Sequence, residues 1–124
     1  NEILFVFFFY YYFCVLLICR LLRGLKNRSI GKKVLRLILA LGLGYIAAWA
    51  FANCEKLEKI AIPNGIMIIE PRAFSDCVKL SSLTLGKELE RIEENAFMNC
   101  SSLRSVTIPS KVIYFGNSAF SGLV

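Results

Sequence analysis

Residues 34–124 read as a solenoid of short parallel strands and helical turns with a 23-residue repeat, preceded by an apolar helix of transmembrane character. Three observations carry this reading. The pair Ala50-Phe51 recurs as Ala73-Phe74, Ala96-Phe97 and Ala119-Phe120, always 23 residues apart. Other positions keep that phase: Cys54, Cys77 and Cys100; Leu57, Leu80 and Leu103; Ile60, Leu83 and Val106; Ile62, Leu85 and Ile108; Ile66, Leu89 and Val112; Ile69, Ile92 and Phe115. Finally, Ile3 to Cys19 is an unbroken apolar and aromatic run without a charge. A fixed period in this range is the mark of stacked coils, because one coil cannot bury its own apolar face and neighbouring coils bury it together.

The first element, residues 1–22, reads as a transmembrane or signal-anchor helix. The run is slightly shorter than the ~20 residues that span a bilayer, and Leu21 and Leu22 extend it past Arg20, whose guanidinium can snorkel to the interface. A cleaved signal peptide fits less well, since Glu2 stands where a basic n-region belongs and no small-x-small cleavage site follows. Runs such as Phe7-Phe8-Phe9-Tyr10-Tyr11-Tyr12-Phe13 are also what translated low-complexity sequence looks like, which leaves open whether residues 1–19 belong to the native protein. The chain begins at Asn1 and not at Met, as a fragment or a processed product would.

Residues 23–33 form a basic linker. Arg20, Arg23, Lys26, Arg28, Lys32, Lys33 and Arg36 stand against Glu2 alone, so residues 1–36 carry +6, the whole formal charge of the chain. Basic side chains at 20–36 beside an apolar run suit anionic headgroups, at about 1 kcal/mol each near the surface; a solvated linker is the plain alternative. Nucleic-acid binding is not expected, because the repeats add no basic face. Basic residues on the C-terminal side of the run favour that side being cytoplasmic.

Shifting the repeat back by one period places Val34, Leu37, Leu39, Leu43 and Ile46 in the apolar phase, whereas a further shift lands on Arg20 and Arg23. The solenoid therefore starts near Val34 and holds about four coils, the last incomplete after Val124. Within a coil, Leu83-Thr84-Leu85 alternates as a strand does and Gly86, or Pro63 and Pro109 in the sister coils, ends it. Leu89 and Ile92 point inward from a second extended or looped segment. Ala96-Phe97 opens a helical turn, with Ala where a neighbouring coil leaves no room and Phe stacked on Phe74 and Phe120 at the ~4.8 Å inter-strand spacing. The strands are expected to form one parallel sheet along the concave side.

Written out, the unit is L-x-x-I-x-I-P-x-x-I-x-x-I-x-x-x-A-F-x-x-C, which resembles the BspA-type leucine-rich repeat of microbial and protist surface proteins. The resemblance covers residues 34–124. Ile62-Pro63 and Ile108-Pro109 keep the usual step after the strand, while Leu85-Gly86 and Leu39-Ala40 depart from it. Ile69-Glu70, Ile92-Glu93 and Phe115-Gly116 stand where the family has Ile-Gly, and Leu123 replaces the last Cys. The resemblance implies an extracellular solenoid, which conflicts with the orientation the basic residues favour.

Chemistry-bearing residues are few. With no His and Asp76 as the sole Asp, Ser-His-Asp and Cys-His machinery are excluded within the chain. Cys54, Cys77 and Cys100 lie one period apart without short-range pairs, so they read as small buried apolar side chains and not as metal ligands, although stacked thiols approach disulfide distance. Glu93-Glu94 reads as a solvated turn, and Gly42-Leu43-Gly44 lacks the rest of a phosphate loop. Asn27-Arg28-Ser29 and Asn99-Cys100-Ser101 match the glycosylation acceptor pattern. No catalytic, cofactor or metal residue is assigned.

The outward strand positions remain. Arg36, Lys59, Ser82 and Ser105 form one column and Ile38, Ala61, Thr84 and Thr107 the next. They vary in chemistry while their inward neighbours stay apolar, which marks them as the expected partner-binding face. The sequence thus points to a non-catalytic interaction or adhesion module at the cell surface, taking a protein or glycoprotein ligand. An intracellular repeat scaffold without a membrane span is the alternative; the binding domain of a larger enzyme is a more remote one.

Overall fold

The computed structural model describes residues 2–4, 6 and 44–122. Residues 2–4 and 6 are helical, and Ile3, Leu4 and Val6 are exposed. The rest of the segment read as a transmembrane helix (residues 3–22), the basic linker (23–33) and the start of the first coil lie outside the described residues. Among the described residues no helix is long and apolar enough to cross a membrane.

The coils place strands β1 (Tyr45–Ile46), β2 (Lys59–Ala61), β3 (Ile68–Ile69), β4 (Ser82–Thr84), β5 (Arg91–Ile92) and β6 (Tyr114–Phe115). Every pairing is parallel and in register by one coil, as in Ile46↔Ile69, Ile69↔Ile92 and Ile92↔Phe115. The strands make two sheets, a four-stranded one ordered β1-β3-β5-β6 and a two-stranded one of β2 and β4. The expectation of a single sheet is thereby corrected. The second segment of each coil is itself a ladder strand, because identical coils stacked in register bring even two extended residues to pairing distance.

Both sheets point their apolar side chains into one core. Ile60, Ile62, Leu83 and Leu85 come from one side, and Ile46, Ile66, Ile69, Leu89 and Ile92 from the other, none more than 8% exposed. At the corner Phe51, Phe74, Phe97 and Phe120 stack with ring centroids 4.9, 5.0 and 5.0 Å apart and planes within 5°. Each fully buried Phe contributes about 1.5–3 kcal/mol through burial alone. The preceding Ala50, Ala73 and Ala96 have no exposed surface, which is why the position takes nothing larger.

That corner is not helical. N–H groups of Ala73, Ser75 and Cys77 donate to carbonyls three residues back, while those of Arg72, Phe74 and Asp76 reach forward to Glu94, Ala96 and Met98 in the next coil. The same forward bonds run from Trp49, Phe51 and Asn53 to Pro71, Ala73 and Ser75, and from Asn95, Phe97 and Asn99 to Asn117, Ala119 and Ser121. Two columns of left-handed residues cause this: Trp49, Arg72, Asn95 and Ser118, then Asn53, Asp76, Asn99 and Gly122, with φ between 57 and 83°. A left-handed residue every few positions breaks a right-handed helix, leaving a chain of single turns.

Residues 105–107 were expected to add a strand beside β4 and do not form one. Val106 is only half-buried and Ile108 is 37% exposed. No described coil lies beyond them, so the inward positions gain little from docking. Glycine is required twice by close approach. A Cβ on Gly86 would meet the Pro63 carbonyl oxygen at 2.4 Å, and one on Gly116 would meet the Glu94 amide nitrogen at 2.2 Å.

Candidate partner-binding face

β2 and β4 present their odd-numbered and even-numbered outward positions in register: Lys59 lies opposite Ser82 and Ala61 opposite Thr84, all four exposed. Alternation along a strand sends Ile60 and Leu83, between them, to the core. Ser105 and Thr107 are exposed too, on chain that is not a strand. Arg36 and Ile38 lie outside the described residues. Of the eight candidate residues, the structure therefore brings Lys59, Ala61, Ser82 and Thr84 onto one sheet, with Ser105 and Thr107 beyond its β4 edge.

Between β4 and that last segment is a hollow of about 300 Å³ lined by Leu83, Thr84, Leu85, Lys87, Thr107 and Pro109. Thr84 and Thr107 meet there; Lys87 and Pro109 are lining residues that the period-2 reading missed. The sequence signal was the Leu85-Gly86 departure, which puts Lys87 after a bend with no Pro. The Lys87 N–H donates to Asn64 Oδ1 at 3.0 Å, tying this bend to the coil before it.

The outer face of the four-stranded sheet has a different character. Arg91 lies 4.1 Å above the Tyr114 ring and donates from Nε to Glu93 Oε1 at 2.8 Å. At the neighbouring corner Arg72 sits 5.0 Å from the Trp49 ring. Burial, followed by the nearby Glu93 carboxylate, raises the Glu70 pKa above the ordinary glutamate value.

The cysteine column is buried and free of disulfides. The thiols are not merely apolar filler: Cys77 Sγ donates to the Phe51 carbonyl at 3.0 Å and Cys100 Sγ to the Phe74 carbonyl at 3.1 Å, each in the preceding coil. The Cys100 and Cys54 thiols and burial push Cys77 strongly up, which keeps it a protonated donor. Among the described residues no group of His, Cys, Asp and Glu is arranged to hold a metal ion. Asn99, of the second acceptor triplet, spends its amide on Asp76 Oδ1 at 2.9 Å.

In-register coils, two parallel sheets, a stacked Phe column and a Cys that latches each coil to the last define a leucine-rich-repeat solenoid. The family described as BspA type leucine rich repeat region (6 copies) matches residues 31–123. The chain belongs to that family. It is similar to a leucine-rich repeat protein of Bacteroides ovatus, at 30% identity and a TM-score of 0.63 over 65% of this chain and 21% of that one. Likeness to the T. pallidum leucine-rich repeat protein is 30% with a TM-score of 0.64, over 66% of this chain and 40% of that one. For the pneumococcal vaccine antigen PcpA the figures are 31% and 0.63, over 65% and 20%. The chain thus spans between a fifth and two fifths of the length of these proteins. Among curated proteins it has no match.

Proposed function

We propose that the chain is a non-catalytic interaction or adhesion module of a surface-associated leucine-rich-repeat protein, taking a protein or glycoprotein ligand on the β2–β4 face. The observation that carries the reading is the split within each strand: inward positions stay apolar and buried, while Lys59, Ala61, Ser82 and Thr84 change chemistry from coil to coil and are exposed. A face free of packing duty is free to specialise, and solenoids use such extended faces for partners. The likeness to a vaccine antigen supports a surface location. Tethering through residues 3–22 and the basic residues at 20–36 follows from hydropathy and charge.

The test compares the full chain with a variant carrying Lys59→Glu, Ser82→Trp and Thr84→Trp on an array of purified proteins and glycoproteins. The variant is expected to lose the ligands that the parent captures while melting at the same temperature; unchanged capture would move recognition off this face. Deleting residues 1–33 is expected to release the solenoid from membranes, and carbonate-resistant association of the deleted form would end the tether reading. An intracellular scaffold without a membrane span is the second reading; the basic residues after the apolar run bear on orientation only where that run spans a bilayer, and so do not argue for it. A cell-impermeant amine reagent separates the two, since labelling of intact cells at Lys59 or Lys87 occurs only if the coils face outward.

A further inference from the structure

Strand β4 is paired on one side only. The Ser82 N–H donates to the Glu58 carbonyl and the Thr84 carbonyl accepts from Ile62 N–H, so residues 82 and 84 serve β2. In a parallel ladder the intervening residue then directs its amide and carbonyl the other way, which here means Leu83 toward residues 105–107. Among the described residues no backbone hydrogen bond crosses that gap. The gap is the hollow of about 300 Å³, with Leu83 and Leu85, each 8% exposed, beneath the exposed Thr84 and Thr107. Lys87 is its one charged lining residue and has no ion pair among the described residues.

We propose that this hollow is the docking site for an extended acidic peptide segment of the partner. The segment adds its backbone to the open edge of β4 at Leu83, seats one apolar side chain on Leu83 and Leu85, and brings a carboxylate to Lys87. Three observations choose this occupant. An unpaired strand edge supplies main-chain donors and acceptors at strand spacing, the requirement for strand addition. The volume lies at the lower limit of ligand pockets, about 300 Å³, suiting a side chain better than a cofactor. The lining is apolar below and cationic at one end, with no carboxylate in it. The inference rests on the β2–β4 face being the binding face, and narrows it to one place and one ligand chemistry.

The probe is a fluorescent hexapeptide of alternating valine and threonine ended by two aspartates, with a lysine-ended twin, titrated against the full chain. Saturable binding is expected for the acidic peptide, weaker by about ten-fold for the twin and for Lys87→Glu, with the twin regaining affinity on Lys87→Glu. Thr107→Trp, which fills the hollow from an exposed position, should abolish binding. Hydrogen exchange provides a readout independent of the variants: the Leu83 and Leu85 amides exchange quickly in the free chain and slow on peptide binding. No saturable binding, equal binding of the two peptides, or slow exchange of both amides before peptide is added overturns the proposal; the last outcome would mean that residues 105–107 close onto β4 in solution. Lys59→Glu keeps the two readings apart. If array ligands are lost with Lys59→Glu alone while the hexapeptide never binds, the broad face stands and the hollow falls. If the hexapeptide binds as described and the array ligands ignore Lys59→Glu, recognition on this face is confined to the hollow at its β4 edge.

Discussion

The coil centred on Phe97 and the coil centred on Phe120 carry the same pattern and are buried very differently. Ile92 has no exposed surface, whereas Phe115, one period on, is 47% exposed. Leu85 is 8% exposed and its successor Ile108 37%. Leu89 is fully buried, but Val112 is only partly so. The inner coil has described neighbours on both sides and the outer one on a single side. An in-phase apolar residue therefore specifies which way a side chain faces, and the adjacent coil decides how much water it loses. Stability in such an array is a sum over interfaces more than over coils.

Phe97→Ala should give the largest effect, a loss of about 3–5 kcal/mol for a ring stacked on both faces. Phe120→Ala should cost about 1–2 kcal/mol, because part of its surface is already wet. Urea denaturation of both variants measures the ratio; equal costs would break the comparison. Gly116→Ala comes next, at about 1–3 kcal/mol, since its Cβ would run into the Glu94 backbone and force the outer coil away from the inner one. Gly44→Ala, whose nearest contact is the flexible end of Met67 at 3.2 Å and whose next, the Gly65 carbonyl oxygen at 3.5 Å, is an ordinary van der Waals distance, is the near-neutral control.

A gain is expected from Ser118→Gly. Ser118 is exposed and holds φ at 57°, and relieving a left-handed non-glycine residue is worth about 1 kcal/mol. Arg72→Gly should gain less, because it removes the stacking on Trp49. Thermal melts of the two rank them. The smallest effect is electrostatic and confined to the inner coils, where Glu70 and Glu93 follow one another by one period and Gly116 follows in the outer coil. The Glu70 pKa is raised in the folded state, chiefly by burial, so folding favours its protonated form. Stability should therefore rise modestly as pH falls through the raised pKa toward the ordinary glutamate value of 4.5 and be lost again as pH rises. Glu70→Gln should flatten that part of a stability–pH curve; an unchanged slope would assign the titration to another group.

Much of this architecture is legible in the residues. The Phe column, the inward Ile60, Leu83, Ile66 and Leu89, and the outward Lys59, Ser82 and Thr84 all follow from phase alone. The second sheet does not, because Ile68-Ile69 and Arg91-Ile92 are too short to display alternation and pair only by virtue of stacking. The corner conformation is hidden for another reason: Asn53, Asp76 and Asn99 are residues that tolerate left-handed backbone, but Trp49 and Arg72 are not, and the neighbouring coil imposes it on them. Ser105-Val106-Thr107 has the same alternation as Ser82-Leu83-Thr84 and yet forms no strand, which is why the hollow at Lys87 escapes a reading by pattern. For the outward strand positions, sequence gives orientation; the unpaired edge of β4 shows only once the separation of the coils is known.

The forward-reaching hydrogen bonds at the corner carry an electrical consequence. From Trp49, Phe51 and Asn53 onward, each bond in these columns points from one coil to the next in the same sense. Strand ladders largely cancel their peptide dipoles, but aligned amides add, as they do along an α-helix. The corner is thus a polarised edge running the length of the array, with amide hydrogens toward the Phe120 end and carbonyl oxygens toward the Phe51 end. Such a column acts as opposite partial charges at its two ends, so carboxylates are favoured beside the outward amides on the Phe120 side of this edge, and ammonium and guanidinium groups beside the outward carbonyls on the Phe51 side.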